Sequence, residues 1–188
     1  VADGLFADLL VNNAGTGLAG KFQKHEASQV RRLADLNVRV MSELTHAVLP
    51  GMLERGRGGI INVASLGGHV PGPNQAAYYA SKAYMISLTE ALAWECRGRG
   101  VRITAVAPGP VRTTFHANMG SERSYYLRFM GTIEPERVAR AGYLGYRLGL
   151  TLVYPRLIDR ALALALRVSP HVIVVPIVSW LLRKRNGA

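Results

Sequence analysis

Apolar positions along the chain follow two rhythms. Leu9-Leu-Val-Asn-Asn, Ile60-Ile-Asn-Val-Ala and Val101-Arg-Ile-Thr-Ala-Val-Ala are short, largely apolar runs of the kind that fill buried strands. Between the first two, Val30, Leu33, Leu36, Val40, Leu44 and Val48 recur every three or four residues. That spacing predicts a helix from about Glu26 to Arg55, broken by Gly56-Arg-Gly-Gly. A second helix is predicted from about Tyr78 to Arg97, stopped by Gly98-Arg-Gly100. Beyond the third run, residues 112–131 show no regular period but hold Phe115, Met119, Tyr125, Tyr126, Phe129 and Met130, the composition of a lid over a pocket. Then come a helix at 135–149, a last strand at 150–154, and helices at 156–168 and 171–184. Strands alternating with helices through short connections predict an α/β fold, a doubly wound parallel sheet whose right-handed crossovers place helices on both faces.

Composition sharpens this in three ways. A chain of 188 residues, nearly half apolar, is long enough to bury a core and shows no low-complexity tract. Its one cysteine, Cys96, excludes an internal disulfide and reads as a partly buried, inert thiol. The net charge of +11 is concentrated: nine Lys/Arg residues but a single acid, Asp159, lie from Arg137 onward. No base-reading motif accompanies that charge, so nucleic acid is not expected. The last two helical stretches are each shorter than the roughly 20 apolar residues that cross a bilayer. Two placements fit them: packing on the domain or across a dimer, and lying on a membrane with Arg183-Lys184-Arg185 at the headgroups.

Gly15-Thr-Gly17-Leu-Ala-Gly20 is a literal G-x-G-x-x-G after a strand, with Asp35 near the distance of a ribose-binding acid. The match fails on context. Asp35 falls inside a helical pattern rather than at a strand end, and the residues after Gly20 do not open a clean helix. A flexible turn beside a ligand is the better reading.

The chemistry points elsewhere. Tyr78 and Lys82 are four apart at the start of a predicted helix, on one face. An ammonium beside a phenol favours the phenolate and is expected to bring its pKa down toward the working range. Such a tyrosine exchanges a proton with a carbonyl or alcohol oxygen. Tyr79, three from Lys82, is its rival. Ser65, thirteen residues before Tyr78, follows a strand at the sheet edge where ligands bind, and can hydrogen-bond an oxygen on which charge develops. The runs Asn12-Asn-Ala-Gly15 and Pro108-Gly-Pro-Val-Arg-Thr113 close two further strands at that edge. The five histidines show no ligand spacing and no metal site is expected; His69 and His116 fall in loops near the pocket.

Taken in order and spacing, N-N-A-G at Asn12–Gly15, Asn37, Ser65, Tyr78-x-x-x-Lys82 and P-G-x-x-x-T at Pro108–Thr113 resemble the short-chain dehydrogenase/reductase family to about Val153. The resemblance implies a Rossmann-like fold, an NAD(P) cofactor and an oxidoreductase acting on a carbonyl or secondary alcohol. It implies Tyr78 as general acid/base and Lys82 as the residue that tunes it and holds the nicotinamide ribose. Ser65 would orient the substrate oxygen, and Asn37 would kink its helix and hold a relay water. Asn12, Ala14 and Gly15 would line the adenine-side ribose and stabilise the sheet, while Pro108, Gly109, Val111 and Thr113 would contact the nicotinamide end. The aromatic and Met-rich lid suggests an apolar substrate.

The family's opening strand and T-G-x-x-x-G-x-G turn have no counterpart here, so about three βα units, and the residue that selects NAD or NADP, are expected to lie outside the chain. An uncovered strand edge at Leu9–Asn13 follows, predicting poor solubility alone, pairing with another chain, or a piece of a longer enzyme. The expected division is a catalytic part, residues 1–154, and a basic, apolar helical extension, residues 155–188, resembling a bacterial subgroup with extra C-terminal helices. Long helices form a dimer seam in relatives, so a homo-oligomer is expected, in the cytoplasm or associated with a membrane. The competing reading is a non-catalytic remnant serving as a dimerisation or peripheral membrane partner.

Overall fold

The structure, a computed structural model, describes residues 6–183. Four strands, β1 (Leu9–Asn12), β2 (Gly58–Val63), β3 (Val101–Val106) and β4 (Leu152–Val153), form one parallel sheet in chain order. Leu10 lies opposite Ile60, Ile60 opposite Ile103, and Ala105 opposite Leu152. The helices are α1 (Ala27–Ala34), α2 (Met41–Glu54), α3 (Ala76–Glu95), α4 (Phe115–Met119), α5 (Tyr125–Met130), α6 (Pro135–Arg147), α7 (Leu157–Val168) and α8 (His171–Leu181).

Because side chains alternate along a strand, two apolar sets separate cleanly. Ile60 and Ile103 face Met52 of α2 and Cys96 just past α3. Ala64, Ala105 and Ala107 continue that face against Met41, Met85 and Ile86. The alternate positions, Ile61 on β2 and Val106 on β3, pack on the other face against Val138 of α6, together with Val153. The doubly wound α/β architecture expected from the sequence is the observed one, and β1 forms one edge of the sheet among the described residues, its Val11 50% exposed.

Asn12 and Asn62 alternate onto the α2/α3 face, where an amide cannot remain unpaired. Asn12 Nδ2 donates to Asn62 Oδ1 (2.8 Å) and to Thr45 Oγ1 (3.2 Å), and Asn62 Nδ2 donates to Thr89 Oγ1 (2.8 Å). This chain of bonds ties two neighbouring strands to α2 and α3.

Three elements differ from the sequence expectation. The single helix predicted over 26–55 is α1 and α2 joined by a π-helical stretch, Asp35–Val40. The segment 112–131 is not irregular but carries α4 and α5, both shorter than two full turns. The last strand is two residues long, and α8 ends at Leu181; Lys184 and Arg185 lie outside the described residues. Helices α7 and α8 rest on the body of the fold: Leu166 and Val174, Val178 and Leu182 pack around Val70 and Tyr79, and Arg167 pairs with Glu90 of α3 at 2.7 Å. Among the described residues, no helix is long and apolar enough to cross a membrane.

Candidate active site

The carboxyl ends of β1, β2 and β3 open into a cavity of about 830 Å³. Ser65, two residues past β2, begins the 3₁₀ turn Leu66–His69, and its Oγ accepts from Gly67 N at 3.1 Å, which leaves its own hydrogen free to donate. Tyr78 stands in the first turn of α3 and Lys82 one turn on. The Lys82 ammonium is buried, donates to the Val63 carbonyl at 2.7 Å, and lies 5.9 Å from the centre of the Tyr78 ring. That ring is held by Phe115 at 5.4 Å and Tyr79 at 6.0 Å between ring centres.

The electrostatics correct one expectation. Burial pushes the Tyr78 hydroxyl up to about 12, opposed by a hydrogen bond from Ser65, so the neighbouring ammonium does not bring it down. The reason is geometric: Lys82 Nζ is committed to the Val63 carbonyl and stands well off the ring, whereas the phenol is largely desolvated by the groups packed around it. Burial likewise pushes Lys82 down to about 8. At neutral pH the phenol therefore keeps its proton and the lysine is mostly charged. Between about 8 and the ordinary lysine value the unfolded chain binds more protons at this site than the folded one, so the contribution of Lys82 to stability rises with pH across that window and is least favourable below it. Tyr78 acts oppositely, its contribution falling as pH rises through the window up to about 12. With ¹³C-labelled lysine, one side-chain signal is expected to titrate with a midpoint near 8 and to vanish in Lys82→Met; four lysines all titrating at the ordinary value would contradict the burial.

Of the residues singled out from sequence, Ala14, Gly15, Ser65, Tyr78, Lys82, Pro108, Gly109, Val111 and Thr113 line the cavity. Two do not. Asn12 turns away into the bonds with Asn62 and Thr45, so of its two expected roles the ribose contact is corrected and sheet-tying is the one it performs; the wall position belongs to Asn13. Asn37 is fully buried behind the wall. Its Oδ1 accepts from Thr16 N (2.9 Å), and its Nδ2 donates to Thr16 O (2.8 Å) and Ser81 Oγ (3.0 Å). A side chain on Gly15 would stand 3.3 Å from Asn37 Oδ1 and 3.7 Å from Lys82 Nζ, so Asn37 sets the 14–16 turn against α3 rather than touching the cavity. The helix at Asn37 is widened into a π stretch, where a kink was expected.

Phe115 and Tyr126 of the expected lid, and His116 from the loop expected near the pocket, also line the cavity. His116 Nδ1 bonds Ser121 Oγ at 3.0 Å. Tyr126, its hydroxyl pushed up by burial, bonds no protein group among the described residues. His69 instead bonds the Tyr154 hydroxyl at 3.0 Å, and Tyr79 packs inward on Val174 and Val178. Beneath the lid lies an ion pair that sequence reasoning passed over. Arg156 Nη2 donates to Asp159 Oδ1 at 2.7 Å, its Nε also reaches the carboxylate, and its Nη1 donates to the Met130 carbonyl at 2.9 Å. Asp159 is fully buried, and a Cβ on Gly109 would come within 2.5 Å of Arg156 Nη2 and 2.7 Å of Asp159 Oδ1. Only glycine lets the loop after β3 lie on this pair, which joins it to the end of α5 and the start of α7.

Residues 6–124 match the protein family described as short chain dehydrogenase. Among characterised proteins, the chain is 40% identical over 107 residues to a ketoacyl reductase, HetN, of Nostoc sp. strain PCC 7120, covering 57% of this chain and 37% of that protein. It is 42% identical over 105 residues to an inactive 2-(S)-hydroxypropyl-CoM dehydrogenase of Xanthobacter autotrophicus, covering 56% and 46%. Among solved structures, a short-chain dehydrogenase from Sphingobium yanoikuyae in complex with NADPH superposes with a TM-score of 0.74 at 28% identity, covering 84% of this chain and 61% of that one. The matched segments thus span less than half of these two curated relatives.

Proposed function

Since the chain belongs to the short-chain dehydrogenase family, we propose that it supplies the catalytic part of an NAD(P)-dependent oxidoreductase that interconverts an apolar ketone or acyl carbonyl and the corresponding alcohol. The observation that carries this reading is the convergence of Tyr78, Ser65 and Lys82 on one cavity wall, with the phenol protonated and the ammonium buried beside it. The residues fit the nicotinamide-ribose end of the cofactor. Lys82 has one hydrogen bond among the described residues and two N–H bonds left for ribose hydroxyls. Pro108, Gly109, Val111 and Thr113 form the wall beside it, and Ala14 and Gly15 bring backbone close at the neighbouring strand end. The dinucleotide, when bound, supplies or accepts the hydride.

The chain's own residues manage the proton. In reduction, Tyr78 gives its hydroxyl proton to the carbonyl oxygen as charge develops there, and Ser65 donates a second hydrogen bond to the same oxygen. Lys82, with its remaining N–H bonds turned to the ribose, positions the cofactor beside the phenol. Asn37 acts through position, fixing the Thr16 turn and Ser81 so that Gly15 stays against Lys82. The apolar lid, with Phe115 against the Tyr78 ring, suits a substrate with a hydrocarbon body. The division at residue 154 into a catalytic part and a basic helical extension belongs to the same proposal.

A panel of ketones and 3-oxoacyl thioesters of rising chain length, assayed on the full-length protein with reduced nicotinamide dinucleotides, tests the reading. Turnover that grows with chain length is expected. Failure of both cofactors to bind, together with no turnover of any carbonyl, would overturn it.

A further inference from the structure

Helices α7 and α8 carry apolar stripes that no described residue covers. On α7, Leu157, Leu164 and Val168 are exposed, at 86, 65 and 74%; on α8, Val172 is 81% exposed, and Ile173 and Ile177 are exposed beside it. Leu157, Ala161, Leu164 and Val168 recur at helical spacing along one side of α7, as do Ile173, Ile177 and Trp180 on α8. The opposite sides of both helices, through Leu166 and through Val174, Val178 and Leu182, join one cluster around Tyr79, so the two stripes look outward from the same core. Trp180 carries the surface onto the lid by stacking on Tyr125 at 4.9 Å and on the exposed Phe129 at 6.0 Å. A continuous apolar face of this kind marks an interaction site.

Charge says what covers it. Arg160, Arg167 and Arg183 are exposed along the same two helices. Their one acid, Asp159, is withdrawn into the buried pair with Arg156, and Arg167 has its partner, Glu90, on α3. A second copy docked on this face would bring arginines against arginines. An anionic lipid surface complements it instead: apolar side chains enter the acyl boundary while guanidinium groups reach the phosphates. Neither helix can cross a bilayer, so both lie along it.

We propose that the outward face of α7 and α8, continued by Trp180 and Phe129, docks on the surface of an anionic membrane with the lid at the acyl boundary. This docking stands on the surface itself and does not depend on the oxidoreductase reading. If that reading also holds, an apolar substrate dissolved in the bilayer meets the lid directly.

The test is flotation of the full chain with vesicles of phosphatidylcholine alone and of phosphatidylcholine with one part in three phosphatidylglycerol. The chain has two tryptophans, so Trp94→Phe on α3 leaves Trp180 as the sole reporter. Co-flotation with the anionic vesicles is expected, with a blue shift of Trp180 emission and quenching by brominated acyl chains. Leu164→Glu and Val172→Glu, both at exposed positions, are each expected to lower the bound fraction about tenfold or more, since each removes a buried hydrocarbon side chain from the lipid. Leu148→Glu, at an exposed position just past α6, serves as a surface control and should bind as the parent does. No co-flotation would overturn the proposal. So would binding that shows no Trp180 shift and disappears in high salt, which is adsorption of a basic surface alone. A dimer that Leu164→Glu converts to monomer, with no lipid dependence, would assign the face to a second copy and overturn it equally.

Discussion

Replacing Tyr78 by phenylalanine is expected to lower turnover of the full-length protein by about 10²–10⁴-fold, the usual contribution of a positioned general acid, while dinucleotide binding stays nearly unchanged. The substitution deletes one oxygen. The ring keeps its packing against Phe115 and Tyr79, so the fold and the cavity wall survive. Because burial holds the hydroxyl up to about 12, the residue is a proton donor over the physiological range rather than a standing phenolate, and it is the cavity phenol that stands with Ser65 and Lys82. Tyr79→Phe is the control: its ring packs inward on Val174 and Val178, and its hydroxyl is expected to be dispensable for turnover. Initial rates with the best carbonyl of the panel, together with dinucleotide titration, check both. Undiminished turnover in Tyr78→Phe would remove the tyrosine from its role.

The second large effect concerns stability. Asp159→Ala leaves the Arg156 guanidinium in a site where its side chain is only 14% exposed, without its carboxylate. Breaking one side of a buried pair costs about 3–5 kcal/mol, which for a chain of this size lowers the melting temperature by roughly 10 °C. The paired replacement Arg156→Met with Asp159→Leu removes both charges and is expected to recover most of that loss, because apolar residues of similar volume often substitute for a buried ion pair without penalty. It cannot recover the bond from Arg156 Nη1 to the Met130 carbonyl. The double variant should therefore melt close to the parent yet be cut faster by trypsin at the exposed Arg123 and Arg128 of the lid. Calorimetry and a proteolysis time course separate the two contributions. If Asp159→Ala melts with the parent, the pair does not hold the fold.

Much of the fold was legible because burial on both faces leaves its mark on composition. Ile60-Ile61 and Ile103 could only be interior strand positions, and the glycines at 56–59 and 98–100 punctuate the helices where the structure ends them. Tyr78, Lys82 and Ser65 were legible because two of them share one helical turn and the third follows an apolar strand. What sequence did not disclose depends on partners far along the chain. Asn12 carries two expectations in the sequence, a ribose contact and a hold on the sheet, and only strand register, which sets it opposite Asn62, separates them. Arg156 and Asp159 lie three apart, a spacing compatible with any solvated helix start; their importance comes from Gly109 and Met130, which no local pattern links to them. The direction of the Tyr78 shift was misjudged because proximity to an ammonium is visible in a sequence whereas exclusion of water is not.

The π-helical stretch at Asp35–Val40 bears on how this chain tolerates change. Leu33, Asn37, Met41 and Thr45 are all buried, four residues apart. In an ordinary α-helix of 3.6 residues per turn such a series drifts around the axis by about 40° at each step, so all four could not point inward together. One wide turn takes up the drift and behaves as a single inserted residue stored within the helix. Deleting one residue between 35 and 40 would restore regular winding and keep Met41 inward, yet swing Asn37 off the Thr16 backbone. The segment thus acts as a phase marker, and length variation that surface loops absorb freely is closed to it.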